Sequence, residues 1–146
     1  MVDKEGEAPI VPHCIEPSFG VERLVLALLV SAYMEDELGG EPRTYLKLNK
    51  AVAPIKAAVF PLLKNKPELV AKAREIYAAL KRDVPQIMWD DNGNIGKRYR
   101  RQDEIGTPAC ITIDFQTLED GTVTVRDRDG GTQERVAVDK VASLIV

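Results

Sequence analysis

The spacing of apolar positions changes repeatedly along this chain, and each change marks an element. From Gly20 onward, Val21, Leu24, Val25, Leu28, Leu29 and Ala32 recur at helical spacing. Leu26, Ala27 and Val30 make the opposite face apolar as well, so the pattern predicts a helix that requires burial all round. Just before it, Pro17, Ser18 and Gly20 form a polar elbow, and His13 to Ile15 read as a short strand. The stretch from Glu35 to Pro42 ends in Gly39-Gly40-Glu41-Pro42 and reads as a helix end followed by a linker, which places a boundary there. After a weak strand at Thr44 to Leu48 comes Ala57 to Leu63, a continuous apolar run of the kind an interior parallel strand needs when both its faces are covered.

Pro67 then suits the first turn of a helix whose inner face is Leu69, Val70, Ala73, Ile76, Tyr77 and Leu80. Gln86 to Asp90 follows as a parallel neighbour, completing a β-α-β unit. Ala109 to Phe115 alternates, with Ile111, Ile113 and Phe115 on one side. Turn signals at Asp120-Gly121 and Asp129-Gly130-Gly131 bracket Thr122 to Arg128 and precede Thr132 to Val138, which predicts an antiparallel ribbon at the sheet edge. A last helix begins at Asp139 and is cut off by the chain end. The sum is a small α/β domain with a mixed sheet flanked by helices, preceded by a strand-helix piece of something else.

Composition adds bounds. A chain of 146 residues with 45% hydrophobic content buries one ordinary core. Twenty basic against 23 acidic residues leave a net charge of -3, so a nucleic acid or anionic surface would have to be met by a local patch. The uninterrupted apolar run Leu24 to Val30 is too short to span a bilayer and no targeting signal precedes it, so a cytoplasmic location is expected. The polar first dozen residues read as a leader or a severed loop. Cys14 and Cys110 belong to no C-x-x-C pair, and a zinc or other metal site is not expected.

Three places can carry chemistry. At the elbow, Glu16, Ser18 and Arg23 put a carboxylate, a hydroxyl and a guanidinium at a helix entry. This set suits an ammonium and a phosphate, and equally a capped helix with a surface arginine. In "NGNIGKRYRRQDEIGTP", Lys97, Arg98, Arg100 and Arg101 crowd around Tyr99, supplying cations for a phosphate backbone and a ring for stacking. The nearby Asp90, Asp91, Asp103 and Glu104 suit an ion-paired helix face just as well. In the ribbon, Arg126 and Arg128 alternate with Asp127 and Asp129, the ordinary defence of an edge strand. His13 is the only histidine and has no partner at a telling distance, so a nucleophilic triad is not expected.

"PHCIEPSFGVERL", residues 12 to 24, resembles motif 3 of class II aminoacyl-tRNA synthetases in the form found in glycyl-tRNA synthetases. "DDNGNIGKRYRRQDEIGTPACITIDFQTLEDGTVTVRDRD", residues 90 to 129, resembles their C-terminal anticodon-binding domain. The resemblance implies a division into residues 1–42, a leader and motif 3 remnant of the catalytic domain, and 43–146, the anticodon-binding domain. It implies that Glu16 faces the ammonium of glycine, that Ser18 lines the same pocket, and that Arg23 holds the phosphates of ATP, with magnesium, in the parent enzyme. The chain departs from the glycyl pattern at Glu22, where that family commonly has glycine and other class II synthetases carry an acid. Motifs 1 and 2 have no counterpart here, so this chain by itself is not expected to activate glycine and no cofactor is expected for it alone.

By the same resemblance the tRNA-facing residues are Lys97, Arg98, Arg100 and Arg101 for phosphates, with Gln102, Asp103, Glu104 and Thr107 for base edges. The implied partners are a glycine tRNA and the upstream catalytic domain, and the parent is expected to be a homodimer. A competing reading is an accessory RNA- or protein-binding module that kept the fold and lost the chemistry. A third is an α/β domain whose charges are solvated surface. The Leu24 to Val30 helix is expected either to pack on a neighbour or to be poorly ordered.

Overall fold

The computed structural model describes residues 12–145, so nearly all of the polar leader lies outside the described residues. Helix α1, Val21–Ala32, passes directly into strand β1, Tyr33–Leu38, which turns back into β2, Glu41–Leu46. The sequence reading of a linker over Glu35 to Pro42 is therefore corrected: these residues form an antiparallel hairpin in which Tyr33 pairs with Leu46 and Leu38 with Glu41. Gly39 and Gly40 make its two-residue turn, both at positive φ (64° and 83°), a backbone that suits the twist of the flanking strands and that other residues resist. The glycine pair read as a break is the tip of this hairpin. The strand expected at Thr44 to Leu48 accordingly begins three residues earlier, at Glu41.

His13 to Ile15 is not a strand; residues 12–20 are irregular and exposed, with no neighbouring strand among the described residues to pair their backbone. The helix that follows is as apolar as expected and largely open to solvent. Val21 is 70% exposed, Leu26 62% and Val30 68%, and even Leu28 and Leu29 are exposed by 45% and 43%. Only Ala32 is buried, in a small cluster with Leu48 and Ala53.

The main body is a five-stranded sheet in the order β4-β3-β5-β6-β7. Its strands are β3 (Ala57–Pro61), β4 (Ile87–Trp89), β5 (Ala109–Ile113), β6 (Thr122–Asp127) and β7 (Gln133–Ala137). Strand β3 pairs in parallel with β4 on one side and β5 on the other, while β5–β6 and β6–β7 are antiparallel. Every residue of β3 and β5 is buried, which is why the Ala57 run has no polar alternation.

Helix α2, Pro67–Asp83, connects β3 to β4, and α3, Ile95–Glu104, connects β4 back across to β5. Because the chain reverses direction across the sheet at β3, the right-handed crossover rule puts these helices on opposite faces. The packing agrees: Ala57, Val59, Ile111 and Ile113 meet Ala73, Ile76 and Leu80 of α2 and Val141 and Ile145 of α5 (Val138–Ile145), whereas Ala58, Phe60 and Cys110 meet Ile95 and Tyr99 of α3. The alternation expected to carry Ala109 to Phe115 as one strand stops at Ile113. Asp114 instead caps a short helix α4, Phe115–Asp120, through reciprocal bonds with Thr117, an arrangement worth about 1 kcal/mol or more.

Candidate nucleic-acid interface

Helix α3 holds most of the residues expected to face RNA, and its period divides them. Asn94 accepts from the Lys97 amide at 2.9 Å and starts the helix. From there Ile95, Arg98, Tyr99, Gln102 and Asp103 turn inward, and Lys97, Arg100, Arg101 and Glu104 turn outward. The cationic run is thus two different things, a buried framework and an exposed row.

Arg98 is 1% exposed and donates to the carbonyls of Pro61 (2.5 Å), Asp91 (3.2 Å) and Gly93 (2.7 Å). These carbonyls lie at the carboxyl ends of β3 and β4, where the two connections leave for opposite faces, the usual crevice for a ligand in such a sheet. Here the protein's own guanidinium plugs it. Burial pushes the Arg98 basicity below its ordinary value, opposed by Asp90 and Asp91. Gln102 and Thr107, 2% and 1% exposed, bond each other at 2.7 Å and close the loop that follows the helix.

Asp103, 2% exposed, accepts two parallel bonds from Arg126 of β6 and one from Arg43 of β2. Arg43 also forks onto Asp36 of β1 at 2.6 and 2.8 Å and donates to the carbonyls of Arg128 and Asp129. The bonds to Asp36, against burial, raise Arg43 above the ordinary arginine value. One carboxylate therefore ties the hairpin, α3 and the ribbon together. The ribbon arginines are not edge protection, and that expectation is corrected: β6 is interior, Arg126 and Arg128 are 5% and 4% exposed, and Arg128 donates to the Gly106 carbonyl at 2.9 Å. Arg43 and Arg126 escaped the sequence reading because a charge on an alternating strand normally faces water; instead Arg43 shares its face of β2 with the buried Tyr45, whose ring it covers, and Arg126 is buried on the face of β6 opposite Val123.

On the exposed row, Arg101 binds Asp90 at 2.6 and 3.0 Å and the Asn92 carbonyl at 2.6 Å, and Arg100 donates to the Pro42 carbonyl at 2.9 Å. Lys97 and Glu104 extend into solvent. The elbow residues Glu16, Ser18 and Arg23 are likewise exposed and sit at the N-terminal end of α1, the end away from the hairpin. Among the described residues no cluster of three or more His, Cys, Asp or Glu side chains is placed to hold a metal, and no helix is long and apolar enough to cross a membrane.

A doubly wound mixed sheet with helices on both faces, one of them turning a row of cations outward beside the carboxyl ends of the parallel strands, defines a small α/β domain. The chain belongs to the anticodon binding domain family, whose model matches residues 56–146. Over nearly its whole length it is similar to glycine–tRNA ligases. It is 51% identical over 145 residues to that of Clostridium tetani, covering 99% of this chain and 30% of that protein. With that of Clostridium perfringens it shares 54% over 149 residues, 99% of this chain and 31% of that protein. With that of Nocardia farcinica it shares 49% over 144 residues, 95% of this chain and 30% of that protein. The chain thus spans about a third of the length of the curated relatives it matches.

Proposed function

We propose that this chain is the tRNA-reading part of an ATP-dependent glycine–tRNA ligase, with residues 43–146 binding the anticodon region of a glycine tRNA and residues 1–42 belonging with the catalytic domain. The observation that carries this reading is the family match over residues 56–146 together with the outward row of α3 inside it. In this reading Lys97, Arg100 and Arg101 hold phosphates and Glu104 faces the bases, since these side chains reach solvent. Arg98, Gln102, Asp103 and Thr107 act beneath them, fixing the helix and its following loop.

Glu16 and Ser18 are assigned to the glycine ammonium, and Arg23 to the triphosphate of ATP with its magnesium. The chemistry fits the donor set: a carboxylate pairs with an ammonium, and a guanidinium with a polyphosphate. All three are exposed on this chain, so their site is completed by the upstream catalytic domain of the parent protein, a cytoplasmic homodimer in this proposal. The apolar surface of α1 supports that assignment, because a helix open on all faces matches the inside of a domain better than a single dimer seam.

The test is binding of this chain to a glycine tRNA transcript and to one whose anticodon bases are replaced, at low and moderate salt. Weaker binding on replacement is expected, with a steep salt dependence from the phosphate contacts. Equal binding to both RNAs would reduce the α3 row to an electrostatic surface.

A further inference from the structure

At the carboxyl end of the edge strand β4, Arg74 of α2 lies over the ring of Trp89, its guanidinium carbon 3.8 Å from the ring centroid. Tyr77, one turn further along α2, meets the same indole edge-on, with centroids 5.8 Å apart and planes at 68°. The indole N–H is buried without a protein acceptor, so packing on the core and the ring contacts with Arg74 and Tyr77 hold the side chain in place. Beside it, successive carboxylates steady two arginines: Asp90 takes Arg101, and Asp91 lies 3.9 Å from Arg74.

Arg74 nonetheless keeps 54% of its side chain exposed. One face of its plane is against the indole and one rim is turned to Asp91, which leaves the other face to solvent. The Asp91 carboxylate beside Arg74 repels a phosphate at this spot, whereas a flat, cationic, pre-ordered face suits the π-surface of a nucleobase. The position joins the exposed row of α3, because the Asp90–Asp91 pair contacts Arg101 on one side and Arg74 on the other.

We propose that Arg74, backed by Trp89, is a stacking platform for an unpaired base of the bound tRNA. This rests on the tRNA-binding reading given above. It makes α2, which contributes nothing to the cationic row, part of the RNA surface, and it assigns stacking rather than charge as the role of Arg74.

The test uses the whole chain and a glycine tRNA transcript. Arg74→Lys keeps the charge and loses the plane, so it is expected to weaken binding about 10-fold, close to the loss from Arg74→Ala, with the salt dependence unchanged by the lysine. Both variants alter an exposed side chain and leave the fold intact. Trp89 is the only tryptophan, so its emission reports on this spot alone, and saturating RNA is expected to shield it from acrylamide. RNA binding with unaltered acrylamide access and full affinity in Arg74→Lys would overturn the platform while leaving the tRNA reading intact. Failure of the unsubstituted chain to bind tRNA at all would overturn both.

Discussion

Arg126 and Asp103 meet through two parallel hydrogen bonds of 2.8 and 2.9 Å, with side chains only 6% and 2% exposed. The same carboxylate also receives Arg43 at 3.3 Å, so removing its charge leaves two guanidinium groups without their shared counter-charge. Asp103→Asn keeps the shape and is expected to cost about 3–5 kcal/mol, read as a lower urea midpoint. Arg126→Lys, which keeps the charge but loses the fork, is expected to cost about 2 kcal/mol. A stability unchanged in Asp103→Asn would show that the carboxylate does not hold the hairpin to the sheet.

Neighbouring positions on α3 should behave in opposite ways. Arg98→Ala strips three carbonyls, that of Pro61 fully buried, of their donor and is expected to destabilise the fold by about 2–4 kcal/mol. Lys97→Ala, in solvent, should stay within about 0.5 kcal/mol while lowering the slope of tRNA affinity against salt by about one unit. Thermal melts and salt titrations separate the two effects; a Lys97 variant with an unaltered slope removes that residue from the RNA surface.

Two left-handed glycines offer a steric contrast. Gly106 has φ +82°, and a Cβ there would lie 2.8 Å from Leu48 Cδ1 and 3.0 Å from the Leu46 carbonyl oxygen, so Gly106→Ala is expected to cost about 3 kcal/mol or more. Gly121, with φ +69° and open space around the added atom, should lose about 1–2 kcal/mol from the backbone alone. Equal losses in chemical denaturation would show that the packing of the loop after α3 onto β2 carries no weight.

Burial pushes the Cys110 thiol from its ordinary 9.0 up to about 12, so the thiol is protonated and shielded in the folded chain. Cys14 is exposed. A thiol reagent at neutral pH is expected to modify Cys14 promptly and Cys110 only at the rate of unfolding. Because the unfolded chain releases the Cys110 proton first, this group contributes fully to stability below about pH 9, and the contribution is lost as pH rises toward 12. Cys110→Ala should flatten the alkaline fall in melting temperature; an unchanged slope would assign that fall to other groups.

Much of the sheet was legible because its evidence is periodic: the unbroken run from Ala57, the helical stripe from Leu69 to Leu80 and the turn pairs around Thr122 each state their element directly. The hairpin was not. Tyr33 to Leu46 has neither a clean apolar alternation nor a buried run, since five of the six residues of β1 are exposed, and its Gly-Gly turn also suits a linker. The α3 patch was legible in composition and not in orientation. Four of its eight candidate side chains are inside, and the helix is turned that way by the packing of Tyr99 on Phe60, Thr112 and Arg126, partners far from α3 in sequence. Charge patterns give no sign of such a buried network, which is why the ribbon arginines also read as surface.

The lock at Arg43 sets an order of events for the growing chain. The β1–β2 hairpin needs only local pairing across a two-residue turn, and its residues are made before those of the sheet it docks on. Its anchor points are the carbonyls of Arg128 and Asp129, 85 and 86 positions downstream, and the Asp103 carboxylate, 60 positions downstream. Closing loops of that length is slow and yields nothing until the ribbon exists. The pairing within the hairpin is therefore available before its anchors are, and a chain interrupted ahead of the ribbon carries an undocked hairpin, which two largely exposed strands stabilise only marginally.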